Sequence, residues 1–95
     1  GRMPGAARLA DICTGHSCWP PRPNDQASNN VIINNRGAHR TSDHWPAHCC
    51  DSCHDGNLAS GSPNVYVNGL QLGRCSDPVT CGSFVATCSN NVIVN

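Results

Sequence analysis

Ser28-Asn29-Asn30-Val31-Ile32-Ile33-Asn34-Asn35 returns twice along this chain, as Ser62-Pro63-Asn64-Val65-Tyr66-Val67-Asn68-Gly69 and as Ser89-Asn90-Asn91-Val92-Ile93-Val94-Asn95. Three copies of such a pattern are hard to obtain by chance, and repetition at fixed spacing is a signature of fold. Val, Ile and Tyr favour strands, while an Asn-Asn or Asn-Gly pair supplies the positive φ values that a tight hairpin turn requires. Each complete copy is therefore read as the first strand of a β-hairpin, with its turn at Asn34-Asn35 or Asn68-Gly69. A second element recurs as Ala6-Ala7-Arg8-Leu9-Ala10-Asp11, Ala38-His39-Arg40-Thr41-Ser42-Asp43 and Leu72-Gly73-Arg74-Cys75-Ser76-Asp77. It has a small or apolar start and then Arg-x-x-Asp, and it provides the return strands, Ala38 to Arg40 and Leu72 to Arg74.

The order of the pieces extends the reading. A return strand, Ala6 to Arg8, comes first, and an unpaired opening strand, Val92 to Val94, comes last. Pairing these halves makes a third hairpin, closes the molecule into a pseudo-threefold object and removes two strand edges open to aggregation. An ordinary sandwich or a solenoid is the alternative, but a solenoid needs capping units rather than half repeats. Helical periodicity is nowhere convincing, so the expected fold class is all-β, as one domain over residues 1–95.

Composition limits what such a fold can do. With 95 residues, 38% of them hydrophobic, and four aromatics (Trp19, Trp45, Tyr66, Phe84), the core is thin and calls for disulfides, a metal or a partner subunit. The formal net charge is zero, every basic residue is Arg, every acidic one is Asp, and the six arginines are scattered singly. A nucleic-acid surface needs clustered positive charge, so none is expected. The apolar stretches are too short for a membrane-spanning helix. Gly1-Arg2-Met3-Pro4-Gly5 lacks the apolar region of a secretory leader, so none is expected.

The loops after the Arg-x-x-Asp elements carry the chemistry. His16 follows Asp11 by five residues, His48 follows Asp43 by five, and Cys81 follows Asp77 by four. Pseudo-threefold closure would bring these three toward one axis, and a fourth ligand must come from outside the symmetry. His54, in Cys49-Cys50-Asp51-Ser52-Cys53-His54 of the longest inter-repeat loop, is preferred; His44, adjacent to Asp43, is the alternative. Three imidazoles and a thiolate form a closed four-coordinate set of the kind structural zinc occupies, and the soft thiolate argues against calcium or magnesium. His39 is read as a surface or packing residue, and Trp19 and Trp45 as anchors of loop packing rather than stacking platforms. If Cys81 binds metal, seven cysteines remain (Cys13, Cys18, Cys49, Cys50, Cys53, Cys75 and Cys88), an odd number, and adjacent Cys49 and Cys50 are awkward to pair. A mostly reduced set, with at most one or two bridges, is the simpler expectation.

At these residues the chain resembles the PAAR-repeat family, named for a Pro-Ala-Ala-Arg element that corresponds to Pro4-Gly5-Ala6-Ala7-Arg8, Ala38-His39-Arg40 and Leu72-Gly73-Arg74. Thr14-Gly15-His16-Ser17-Cys18-Trp19-Pro20-Pro21-Arg22-Pro23, Gly61-Ser62-Pro63-Asn64-Val65 and Asp77-Pro78-Val79-Thr80-Cys81-Gly82 add to the likeness, which covers nearly the whole chain. Ser28-Asn29-Asn30 and Ser89-Asn90-Asn91 depart from the family's usual Gly-Ser-Pro-Asn. The resemblance implies a small three-sided cone of β-structure whose base sits on a trimeric β-helical spike, one copy per trimer, with structural zinc held near the apex by three His and one Cys. Such tips serve contractile phage tails, as part of the virion at the baseplate, and bacterial type VI secretion systems, where delivery starts from the cytoplasm.

The expected function is then mechanical: a tip that caps and sharpens the spike for piercing an envelope during sheath contraction, with only transient membrane contact. Val31, Val65 and Val92 are candidates for meeting the spike by strand extension. Three other classes stand beside it. A zinc hydrolase would need an open coordination position and a general base, and the chain has no Glu. A secreted disulfide-rich binding protein would have nearly all its cysteines bridged, whereas a spike tip is expected to keep most of them free. A secretion-system tip could also dock an effector, here as non-covalent cargo.

Overall fold

The computed structural model describes residues 4–95, so the first three residues of the stretch read for a leader lie outside the described residues. No helix occurs among them, and the strands form three antiparallel pairs. β1 (Ile32–Ile33) pairs with β2 (Arg36–Gly37), β3 (His44–Cys50) with β4 (Ser52–Asn57), and β5 (Tyr66–Val67) with β6 (Leu70–Gln71). The two shorter repeat hairpins turn on Asn34 (φ 52°) and Asn35 (φ 67°), and on Asn68 (φ 54°) and Gly69 (φ 80°). Two consecutive left-handed residues are what a two-residue hairpin loop demands.

The chain's two ends supply the third hairpin. Gly5 bridges Ile93, the Ala6 amide donates to the Val92 carbonyl at 2.8 Å, and the Val94 amide donates to Pro4 at 2.9 Å. The equivalent bonds elsewhere run from Ala38 to Val31 at 2.8 Å and from Leu72 to Val65 at 2.9 Å. Between repeats the return strands close a triangle: the Ala7 amide donates to Gly73, Gly73 to His39, and His39 to Ala7, at 2.8, 2.8 and 3.1 Å. Pseudo-threefold closure is thus a ring of main-chain hydrogen bonds with no free edge at its centre.

Side chains repeat the symmetry. Each Arg-x-x-Asp turn is locked by its own carboxylate, which accepts from the backbone amide and the guanidinium of its arginine: Arg8 to Asp11 at 2.7–3.0 Å, Arg40 to Asp43 at 2.8–2.9 Å, and Arg74 to Asp77 at 2.8–3.0 Å. Ser28, Ser62 and Ser89 each accept two amide protons at the start of their strands. The bond is the same whether the following residue is Asn29, Pro63 or Asn90, so the departure from Ser-Pro-Asn leaves the turn unchanged.

Alternation along the return strands divides the interior into two layers. Ala6, Ala38 and Leu72 pack with Ile33, Val67 and Val94 in one, while Ala7, Cys13, Trp45, Leu58, Val79 and Val85 form the other. At the ring between them one large side chain, His39, stands where the other two repeats have Ala7 and Gly73. A β-carbon on Gly73 would come within 2.7 Å of Leu58 Cδ2 and 3.3 Å of Ala7 Cβ, so the axis has room for one bulky group. His39 is fully buried edge-on to Trp45, with its Nδ1 bonded to the Gln26 carbonyl at 2.8 Å. It is a packing residue and not a surface one.

Two expectations need correction. Residues 49–54 are part of a regular hairpin and not an open loop: His48 faces His54 across β3 and β4, and the ladder shifts register between Trp45 and His48. Pro46, which cannot donate to a ladder, lies inside that shift. The cysteines are also mostly paired, as Cys18–Cys50, Cys49–Cys53 and Cys75–Cys88, leaving Cys13 and Cys81 free. Adjacent Cys49 and Cys50 escape the expected conflict because successive strand residues point to opposite faces, so they reach different partners.

Candidate metal centre

Two loops and one hairpin build the centre. Gly15 (φ 71°) and Ser17 (φ 50°) turn the chain sharply around His16, whose amide and carbonyl both bond Trp19, at 3.0 and 2.8 Å. Only glycine fits at position 15, because a β-carbon would sit 2.6 Å from the Trp19 carbonyl oxygen. His48 and His54 are brought side by side by their cross-strand pairing. Cys81 lies in a tight turn closed by the Gly82 amide on Val79 at 2.9 Å, with Gly82 at φ 109°.

The structure gathers His16, His48, His54 and Cys81, each with a ligand atom within 4.8 Å of the others'. His16 Nε2 lies 3.2 Å from His48 Nε2 and 2.9 Å from His54 Nε2, and those two are 2.6 Å apart. Ligands on a tetrahedral zinc stand roughly 3.3–3.6 Å apart, wider than these nitrogens by up to about 0.7 Å. His48 Nδ1 is 2.9 Å from the Pro20 carbonyl, which can only accept, so Nδ1 carries the proton and the Nε2 lone pair points into the cluster. Loss of hydration, then the neighbouring rings of His48 and His16, hold His54 below the ordinary histidine range and favour the neutral form a metal requires. Three lone-pair nitrogens and a thiol in one place form a donor set able to hold a metal ion.

His44 is elsewhere. Its ring bridges Asp25 at 2.8 Å and Asp55 at 3.0 Å. Hydrogen bonds to Asp55 and then Asp25 raise its pKa, so it serves as a clamp between the loop of residue 25 and β4. Trp19 does more than anchor a loop: its ring stacks on His16 at 5.1 Å and on His54 at 4.8 Å, and its Nε1 donates to Ser52 at 3.0 Å. The sequence signal for this was its position three residues after His16. Two bridges flank the cluster, since Cys18 is two residues from His16, Cys49 follows His48, and Cys53 precedes His54. Behind it lies Cys13, whose thiol burial pushes up; hydrogen bonds, first those of Arg22, outweigh this and leave it below its ordinary value.

Comparison with known families agrees with this geometry. A family model described as the PAAR motif matches residues 14–87, which span the four gathered side chains and both complete repeat hairpins. No curated protein matches the chain.

Proposed function

The chain belongs to the PAAR-motif family, and from that premise we propose that it is a zinc-stiffened tip that caps a trimeric β-helical spike, one copy per trimer, in a contractile injection machine. One observation carries the reading. Ile32, Tyr66 and Ile93, at matching places in the three hairpins, are exposed at 57, 57 and 47%. A large apolar residue exposed once per repeat is costly in water, and it suits a partner that offers three equivalent strand ends. Of the three valines, Val65 and Val92 pack partly against the interior of the hairpin layer, while Val31 is exposed, so the neighbouring Ile32, Tyr66 and Ile93, exposed in all three copies, are the better candidates for contact with the spike.

Zinc is the metal this donor set suits: three imidazoles and one thiolate fill four positions, and a closed set has a structural rather than a catalytic role. His16, His48, His54 and Cys81 would hold it, and the ion would tie together loops that have little core of their own, contributing directly to folding stability. The protein would act mechanically, with force from the sheath and no chemistry of its own. Three bridges fit a chain that works in an oxidising compartment, as a tip carried on a virion would. By the thiol criterion the pairing of six of the eight cysteines points toward the secreted disulfide-rich binder; the threefold frame, the metal cluster and the family match favour the tip. Non-covalent effector cargo, as in a type VI system, would be an addition to the same role.

The test is co-purification with candidate β-helical spike trimers. The expected result is one copy of this chain per three of the partner, lost in an Ile32→Asp/Tyr66→Asp double variant that keeps its fold. Binding at equal stoichiometry, or binding indifferent to that variant, would sink the proposal.

A further inference from the structure

Arg22 lies in Trp19-Pro20-Pro21-Arg22-Pro23, where Trp19 and Pro20 already contact the histidines of the cluster and Arg22 itself has no task in the spike-tip reading. Its side chain is buried, with 7% of the residue exposed. Every other described arginine meets a carboxylate: Arg8, Arg40 and Arg74 pair with the Asp of their own turns, and Arg36 reaches Asp11 at 3.6 Å. Arg22 has no such partner among the described residues. Its Nε donates to the Pro46 carbonyl at 2.7 Å, its Nη1 to Cys13 Sγ at 3.0 Å and its Nη2 to Cys81 Sγ at 3.4 Å, and its flat face lies 5.5 Å from the centre of the Trp45 ring. A buried cation without an anion is strongly unfavourable unless hydrogen bonds offset the lost hydration. Among the described residues the two sulfurs are the only side-chain acceptors placed to offset it.

We propose that Arg22 is a positioning residue of the metal centre, donating from Nη2 to Cys81 Sγ so that the sulfur is held toward the three imidazoles and its electron density is drawn down. One side chain thereby joins the segments that carry three of the ligands. Arg22 belongs to the loop of His16, Pro46 to the strand of His48, and Cys81 is itself the thiol ligand. Hydrogen bonds of this kind orient metal ligands and tune their donor strength, and losing one costs about 10–100-fold in metal affinity. The positive charge opposes a bound dication, but the sulfur stands between them and takes the hydrogen bond.

The inference rests on the metal reading of the cluster, and the experiment separates the two. Cobalt(II) is titrated into the metal-free full chain, its Cys18–Cys50, Cys49–Cys53 and Cys75–Cys88 bridges intact, for wild type, Arg22→Met and Arg22→Lys. The readouts are affinity and the thiolate-to-cobalt charge-transfer band, with near-ultraviolet circular dichroism reporting the fold. Arg22→Met is expected to bind about tenfold or more weakly. Its band should move to longer wavelength, because a sulfur lone pair without its hydrogen bond lies higher in energy. Arg22→Lys restores one N–H···S donor and should recover part of both. A folded Arg22→Met with wild-type affinity and band, one that binds more tightly, or one that loses affinity without moving the band overturns the assignment. Should Arg22→Met fail to fold, Arg22→Lys decides alone: a displaced band supports the role, and an unchanged one overturns it. A wild-type chain that shows no thiolate band removes the metal reading and this inference together.

Discussion

Asp11, Asp43 and Asp77 are all but buried, and each is surrounded by donors from its own arginine. Paired buried carboxylates are costly to disturb, because removing one partner strands the other. Asp43→Ala should therefore lower unfolding free energy by about 3 kcal/mol in denaturant titration. A loss well under 1 kcal/mol would mean that water replaces the carboxylate at no cost. This turn was legible in the sequence as Arg-x-x-Asp, since the spacing repeats with every hairpin. The burial of His39 was not. The repeats set His39 against Ala7 and Gly73, but they do not reveal that the three positions converge on one axis with room for a single bulky group.

At the scale of elements, the hairpins of the repeats were readable because Asn-Asn and Asn-Gly are local signals that act over four residues. The β3–β4 hairpin is not legible as one, since His44-Trp45-Pro46-Ala47-His48-Cys49-Cys50 has no alternation and contains a proline; it is held by its cross-strand pairs and by Cys49–Cys53. His44, in β3, bonds Asp55 across the hairpin and clamps it to Asp25. Because its folded pKa is raised, the clamp contributes stability in full below the ordinary histidine value, and that contribution is lost as pH rises through the raised one. The melting temperature of wild type should exceed that of His44→Gln near ~pH 5.5 and match it near ~pH 8.5. The effect should be small, since the groups are solvent-exposed. A difference that grows with pH would show that the ring acts as a neutral packing group instead.

On the scale of the whole molecule, two kinds of staple act on the same loops. Cys18–Cys50 closes a separation of 32 residues, which in the chain-entropy view contributes about 3–4 kcal/mol, and the proposed zinc ties the same His16 loop to the same hairpin. Chelation should lower the melting temperature of oxidised wild type, and lower it further in the reduced protein, because the bridges otherwise hold the ligand loops close together. His48→Ala should melt near the chelated value. Equal drops in both redox states would mean that metal and bridges act on separate regions, and no drop in either would argue against a structural metal.

The amino-acid sequence by itself determined the repeat: three hairpins, their turn residues, the Arg-x-x-Asp locks and the split third copy, all consequences of short-range backbone preference and regular spacing. Ring closure followed from the order of the pieces. The matching offsets of His16, His48 and Cys81 after the Arg-x-x-Asp elements also pointed to a common site, where the structure gathers them; what only the tertiary structure decided is which further side chains meet across repeats. The pairing of Cys18 with Cys50 and of Cys49 with Cys53, the gathering of His54 rather than His44 with His16, His48 and Cys81, and the placing of Arg22 against two sulfurs all depend on how three wedges sit around an axis. Such contacts link residues far apart along the chain, and no local preference encodes them.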